Sequence, residues 1–238
     1  MAQLYAGTSG FAYPKWKPDF YPADLASAKF LEHYARRLNS VEINYTFRRL
    51  PSASTLESWV SATAPGFLFA VKAHMRITHI HRLRGAGQAT EVFLRAIDPL
   101  RVTKRLGPVL FQLHPQTKSD PGLLGEFLAP LPADIRYTFE FRHASWFDEK
   151  VYRLLERHKV CLCLAESDEF RVPEVVTADF VYCRLRRASY SAEERAAIGE
   201  QAGRLVASGK DVFLYFKHEE TPEGARHAQE LLAASGRA

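Results

Sequence analysis

With 238 residues, of which 47% are hydrophobic and 25% charged, the chain has enough apolar content for a full core, which excludes a disordered or low-complexity protein. A net charge of +5 and an isoelectric point near 9.1 are mildly basic and favour anionic partners without demanding nucleic acid. Three cysteines make no disulfide framework, and no apolar run approaches the roughly 20 residues that a membrane-spanning helix needs.

The first residues, MAQLYAGTSG, show no basic region followed by an apolar stretch, so a cytoplasmic location is expected. Leu4–Thr8 is a short apolar strand closed by Gly7-Thr8-Ser9-Gly10. The loop beyond it is aromatic (Phe11, Tyr13, Trp16, Phe20, Tyr21) and stiffened by Pro14, Pro18 and Pro22. Asp24 or Ser27 can cap a helix running to about Leu38. Ser40–Asn44 is the next strand, with Val41 and Ile43 on one side and Glu42 and Asn44 on the other; Pro51 and Ser52 open a second helix. Phe67–Lys72 is a third strand, followed by a long basic loop over His74–Arg84 and a helix through Val92, Phe93 and Ile97.

Pro108–His114 is a buried strand with Gln112 near its end, and Leu123–Leu128 a short helix. Arg136–Arg142 alternates as a half-buried strand must: Tyr137, Phe139 and Phe141 point one way, and Thr138, Glu140 and Arg142 the other. A helix follows over Val151–Glu156. Val160–Ala165 is a strand whose Cys161 and Cys163 read as buried thiols. The next connection, Glu169–Ala178, is short and contains Pro173, which predicts that the usual helix is missing there. Phe180–Leu185, a helix over Ala192–Ala207 stopped by Gly209, Asp211–Phe216 and a helix over Glu223–Ala234 complete the chain.

Strand followed by helix, repeated about eight times with no linker, predicts one domain over 1–238. The fold class is α/β, a single TIM-like (β/α)8 barrel that is irregular after the sixth strand. An open doubly wound sheet would want a phosphate loop after its first strand, and GTSG has neither the GxGxxG pattern nor a Walker lysine.

The polar residues gather at the C-terminal strand ends: Thr8, Ser9, Glu42, Asn44, Lys72, Gln112, Glu140, Arg142, Glu166, Arg184 and Lys217-His218. In a barrel these ends ring one mouth, where active sites are found. Lys72, Arg142, Arg184 and Lys217 are suited to grip phosphate or carboxylate. Glu42 and Glu140, held ionised beside arginine, suit a base, and with Lys72 they make the candidate catalytic set. His143, Trp146 and Tyr215 complete the candidate ligand-binding set. Loop aromatics, among them Tyr13, Trp16, Trp146 and Tyr190, suit stacking of bases or sugars, or else fill a small core of their own; for Tyr13 and Trp16 the second reading is preferred. Six histidines with Glu42, Glu140 and Glu166 supply metal-ligand types without a diagnostic spacing, so no metal ligand is assigned and no cofactor is required.

The runs GTSGF with Tyr13 and Trp16, FYP at Phe20–Pro22, VEINYTF, FLFAVK, LGPVLFQL, FEFRHASW, DFVYCRL and DVFLYF occur in the order found in the YecE-like family, domain of unknown function 72. The chain resembles that family over nearly its whole length. The resemblance implies a TIM-like barrel and no activity. It places Glu42, Asn44, Lys72, Gln112, Glu140, Arg142, His143 and Trp146 in the family's motifs. Where many relatives have His-Gly after the seventh strand and Asn-Asn or Asn-Asp after the eighth, this chain has Arg186-Arg187 and Lys217-His218, so its mouth is more basic.

The expected partner is an anionic small molecule or nucleic acid, a phosphate-bearing ligand held at the mouth, with no membrane involved. The residues leave open whether the site is an enzyme of hydrolase or isomerase type, a non-catalytic nucleic-acid or anion binder, or a carbohydrate-active or metal-dependent hydrolase using Glu42 and Glu140.

Overall fold

Eight β-prone runs become eight parallel strands in the computed structural model, which describes residues 1–217 and 219–236. They are β1 (Leu4–Thr8), β2 (Ser40–Ile43), β3 (Leu68–Lys72), β4 (Leu106–Gln112), β5 (Tyr137–Glu140), β6 (Cys161–Glu166), β7 (Phe180–Leu185) and β8 (Asp211–Phe216). Continuous ladders run from β2 through β8 to β1, in the order β1-β8-β7-β6-β5-β4-β3-β2. The helices are α1 (Phe30–Ala35), α2 (Ala53–Ser61), α3 (Gly87–Val102), α4 (Pro121–Leu128), α5 (Glu149–Arg157), α6 (Ala192–Ala207) and α7 (Glu223–Ala234). The fold is a nearly closed TIM-like barrel.

The barrel closes between β1 and β2 by a substitute for a ladder. The Asn39 amide accepts from the Ala6 N–H at 2.9 Å and donates to the Leu4 carbonyl at 2.8 Å, as a neighbouring strand would. The Tyr34 hydroxyl accepts from the Thr8 N–H at 2.8 Å and donates to the Ser40 carbonyl at 3.0 Å. Backbone pairing resumes only at the top, where the Gly10 N–H donates to the Glu42 carbonyl at 2.9 Å. Gly7 makes this seam fit, because a Cβ there would lie 2.0 Å from the Ser40 carbonyl oxygen and 2.7 Å from the Tyr34 hydroxyl.

Local chemistry sets the helix starts. Ser52, Asp120 and Asp148 cap α2, α4 and α5 with their side chains, and Ser191 with Glu194 forms a capping box on α6. Neither Asp24 nor Ser27 caps a long first helix; a short 3-10 turn over Ser27–Lys29 leads into a six-residue α1.

No helix follows β6 among the described residues, as Pro173 predicts. The loop folds back instead: Arg171 bridges to Glu166, and the Thr177 hydroxyl donates to the Val160 carbonyl and accepts from the Leu162 N–H. The His74–Arg84 segment contains one π-type turn, Arg76–Ile80, pinned by buried Ile77 and Leu83.

β5 lies between β4 and β6, and all four of its residues are buried, so it is no edge strand. Phe139 packs outward on Phe127 of α4, while Glu140 points into the barrel. The loop aromatics after β1 fill space as expected, but as part of the main core and not a separate one: Trp16 and Tyr21 are fully buried, Tyr21 stacks on Phe30 at 4.1 Å, and Phe20 meets Tyr34, which meets Phe67. Cys161 and Cys163 are buried, as their pattern predicts, and no described helix is long and apolar enough to cross a membrane.

Candidate functional site

Alternation on β2, β5 and β7 sends Glu42, Glu140 and Arg184 into the top layer of the barrel, where each is at most 2% exposed. Arg184 bridges the two carboxylates: one guanidinium nitrogen donates to Glu42 Oε1 at 2.8 Å, and the other to Glu140 Oε2. Ser9, at 2.8 Å, and Asn44, at 3.1 Å, also donate to Glu42 Oε1, and Tyr182 donates to Oε2 at 2.7 Å. Gln112 and Arg142 each donate to Glu140 Oε1 at 2.8 Å, and Arg186 stands 3.7 Å away. All four carboxylate oxygens are therefore engaged.

The electrostatics follow from this packing. Burial alone would raise the Glu42 carboxyl, but Arg184, Tyr182 and Ser9 outweigh it and hold it below the usual range. Burial opposes ionisation of Glu140 as well, and Arg184, then Arg142 and Arg186, hold it far below. Burial disfavours charge on Arg184, but Glu140 and Glu42 keep it a cation. Lys72 goes the other way: burial, then Arg184, push its ammonium down to about 8 against the pull of Glu42 and Glu140.

Above this layer the mouth divides. Towards β2 and β3 a cleft of about 490 Å³ is lined by Arg48, Arg49, Lys72, Arg184, Arg186 and Lys217, against one described carboxylate, Glu219. Asn44, Tyr45 and Phe47 supply its polar and aromatic wall. Towards β5 and β6 a second cleft of about 590 Å³ has mixed charge, with Glu166, Asp168, Glu219 and Glu220 facing Arg142, Arg186, Arg187 and Lys217. The excess of cations expected around the whole ring thus belongs to one side. Two larger grooves, of about 710 and 730 Å³, lie on the outer helices, α3 with α4 and α6 with α7, away from the strand ends.

Of the candidate ligand residues, Asn44, Lys72, Arg184 and Lys217 line the cationic cleft, and Arg142 the mixed one. Ser9 and Gln112 are buried beneath as hydrogen-bond donors to the glutamates. Thr8 is spent on the Gly10 carbonyl and Tyr34, and Tyr215 on Ser40 at 2.6 Å. Trp146 is 1% exposed, stacks on Phe141 at 4.4 Å and donates its indole N–H to Thr117, so it offers a ligand no face. His143 bonds locally to Ser145. His218 lies outside the described residues.

Tyr182, Phe47 and the Arg48-Arg49 pair join the site without having been singled out. Tyr182 was findable as the residue two before Arg184 on one strand face, and Arg48-Arg49 as a basic pair just past β2. Among the described residues no three His, Cys, Asp or Glu side chains converge as a metal site. His79 and His114 meet ring to ring at 5.3 Å, and burial, then Lys72, push His79 down to about 4.

The family model described as "Protein of unknown function DUF72" matches residues 5–238. The chain belongs to this family. UPF0759 protein YecE of Escherichia coli is 32% identical over 146 residues, which cover 60% of this DUF72 chain and 50% of that protein. A solved DUF72 protein from Thermotoga maritima superposes with a TM-score of 0.86 at 26% identity, covering 99% of this chain and 100% of that one. One from Enterococcus faecalis gives 0.76 at 17% identity, over 100% and 99%, a likeness of fold alone. None of these names carries an activity, so the function of this DUF72 barrel has to be argued from its mouth.

Proposed function

We propose that the cleft above β2, β3 and β7 binds a phosphate-bearing ligand, a nucleotide or nucleic acid. The observation that carries this reading is the lining of the cleft: Arg48, Arg49, Lys72, Arg186 and Lys217 face an open space of about 490 Å³ with Glu219 as the one described carboxylate on its wall, while Glu42 and Glu140 are buried beneath, bonded to Arg184. Guanidinium groups match phosphate oxygens in a bidentate fork, and a concave cationic wall concentrates anions. Tyr45, 48% exposed, and Phe47 stand on the same wall and suit the face of a base.

Glu42 and Glu140 act in this reading as buried counter-charges that fix Arg184 and Arg142. A base must present a lone pair to its substrate, and these carboxylates are at most 1% exposed, with every oxygen already accepting from Ser9, Asn44, Gln112, Tyr182 or an arginine. Chemistry by a carboxylate pair on a sugar gains no support from this arrangement.

The test is the binding of a short labelled single-stranded oligonucleotide, followed by fluorescence anisotropy over a salt series. The logarithm of the affinity should fall linearly with the logarithm of salt, with a slope of about −0.7 per phosphate neutralised. Affinity that does not change with salt, or no binding at low salt, overturns the reading.

A further inference from the structure

Among the five cations that close strand ends, four have carboxylate partners. Arg142 and Arg184 bond to Glu140, Arg186 stands 3.7 Å from it, and Lys217 stands 3.4 Å from Glu219. Lys72 differs. Among the described residues it meets no carboxylate; its Nζ donates to the neutral amide oxygen of Gln112 at 2.7 Å and lies 4.2 Å from the Phe47 ring centroid. The Gln112 amide cannot be turned over, because its NH2 is committed to the acceptor-only Glu140 carboxylate at 2.8 Å. Its oxygen therefore always faces Lys72. A neutral amine still has a hydrogen for that oxygen and carries its lone pair on another side, so loss of the proton leaves the contact intact.

We propose that Lys72 forms an imine with the carbonyl carbon of a phosphate-bearing aldehyde or ketone whose phosphate is held by the arginines of the same cleft. This rests on the reading of the cleft as a phosphate site and needs the phosphate alone, so it adds small phosphorylated carbonyl compounds to the nucleotides proposed above. Lys72 and Arg186 line one space, so a single small ligand reaches both.

The step balances without a redox partner. The amine lone pair attacks the carbonyl carbon, and the C–O π pair moves onto oxygen, which takes a proton from water in the open cleft. Nitrogen returns a proton to the solvent, giving the carbinolamine; its hydroxyl takes a second proton and leaves as water while the nitrogen lone pair closes the C=N bond, and the resulting iminium nitrogen returns that second proton to the solvent. One amine and one carbonyl give one imine and one water.

Lysines act this way when burial and neighbouring cations favour the free amine. Burial and Arg184, with Arg142, act in that direction here, while Glu42 and Glu140 oppose them, and the result is a value of about 8. His79 is the further titratable group facing this ammonium, and its own proton is held weakly, pushed down to about 4. The Phe47 ring and the Gln112 oxygen both favour the cation, which keeps Lys72 seated until a carbonyl arrives.

The experiment uses the intact protein with pyridoxal 5′-phosphate, a phosphate-bearing aldehyde, and in parallel with pyridoxal, which lacks the phosphate. After reduction with cyanoborohydride and digestion, the adduct on each lysine is measured by mass spectrometry. Lys72 should carry at least about tenfold more phosphopyridoxyl adduct than exposed lysines such as Lys15 or Lys29, because the arginines of its cleft hold the phosphate beside it and burial favours its free amine. Pyridoxal should label it much less, inorganic phosphate should suppress labelling, and Lys72→Arg should leave no dominant site. Labelling of Lys72 no greater than that of surface lysines overturns the proposal, as does equal labelling by the two aldehydes. Calorimetry with inorganic phosphate on the same protein separates the two ideas: phosphate binding with Lys72 unlabelled ends the imine and keeps the anion site, and absence of both ends both.

Discussion

Arg184 and Glu140 meet inside the barrel from β7 and β5, with 3% and 2% of their side chains exposed. An ion pair that deep is sustained by further bonds around it: Glu42 takes the second arm of the guanidinium, and Gln112 and Arg142 donate to Glu140, while the Arg184 Nε is left without a hydrogen-bond partner.

Removing the centre of this network should therefore cost far more than a surface arginine would. Arg184→Met leaves the buried Glu42 without its cation and Glu140 with only Arg142 and Arg186, and we expect a loss of about 3–5 kcal/mol in unfolding free energy, measured by urea denaturation. Adding Glu42→Gln and Glu140→Gln should restore part of that loss. A cost below about 1 kcal/mol for Arg184→Met would show that the pair does not hold the barrel top together.

The same network sets the response to acid. Glu42 and Glu140 are both held below their ordinary value of 4.5, so the unfolded chain binds more protons than the folded one. Their contribution is complete above about pH 5 and declines as pH falls through 4.5 towards the depressed folded values. Urea midpoints taken stepwise downwards should fall in the wild type. Glu140→Gln, less stable at neutral pH, should show a shallower decline over that window.

Gly7 should tolerate no side chain. In Gly7→Ala the new Cβ would lie 2.0 Å from a backbone oxygen of β2, which cannot move without opening the β1–β2 seam. We expect a loss of at least about 2 kcal/mol, or failure to fold, read as a lowered thermal midpoint.

That seam shows what the sequence could and could not disclose. Alternation and apolar runs placed every strand to within a residue or two, because each strand's partners are its neighbours in the repeat. Closure depends on two side chains, Asn39 and Tyr34, standing where a ladder should be, and no local pattern distinguishes such a residue from any other at a helix end. The mouth was legible as a list, since strand ends alternate polar and apolar. Its layering was not: Glu140 and Arg142 share a face in sequence, yet one is buried and the other half-exposed. Trp146 looked like a ligand platform because it follows a charged strand end, whereas the short 3-10 turn Ala144–Trp146 tucks it under the loop onto Phe141.

Arg48 and Arg49 are exposed and, among the described residues, lie outside the buried network, so they report on binding without disturbing the fold. Arg48→Ala and Arg49→Ala should each weaken oligonucleotide binding and make the salt slope shallower by about 0.7, while shifting stability by less than about 0.5 kcal/mol. Unchanged affinity in both variants would move the binding surface away from this wall.

The most direct test of the central claim compares a nucleoside 5′-monophosphate with its unphosphorylated nucleoside by titration calorimetry, in the wild type and in Arg186→Ala. The account predicts that the wild type binds the phosphorylated compound at least about tenfold more tightly, a difference of about 1.4 kcal/mol, and that Arg186→Ala loses most of this preference. Equal affinity for the two compounds, or a preference that survives in Arg186→Ala, would contradict it.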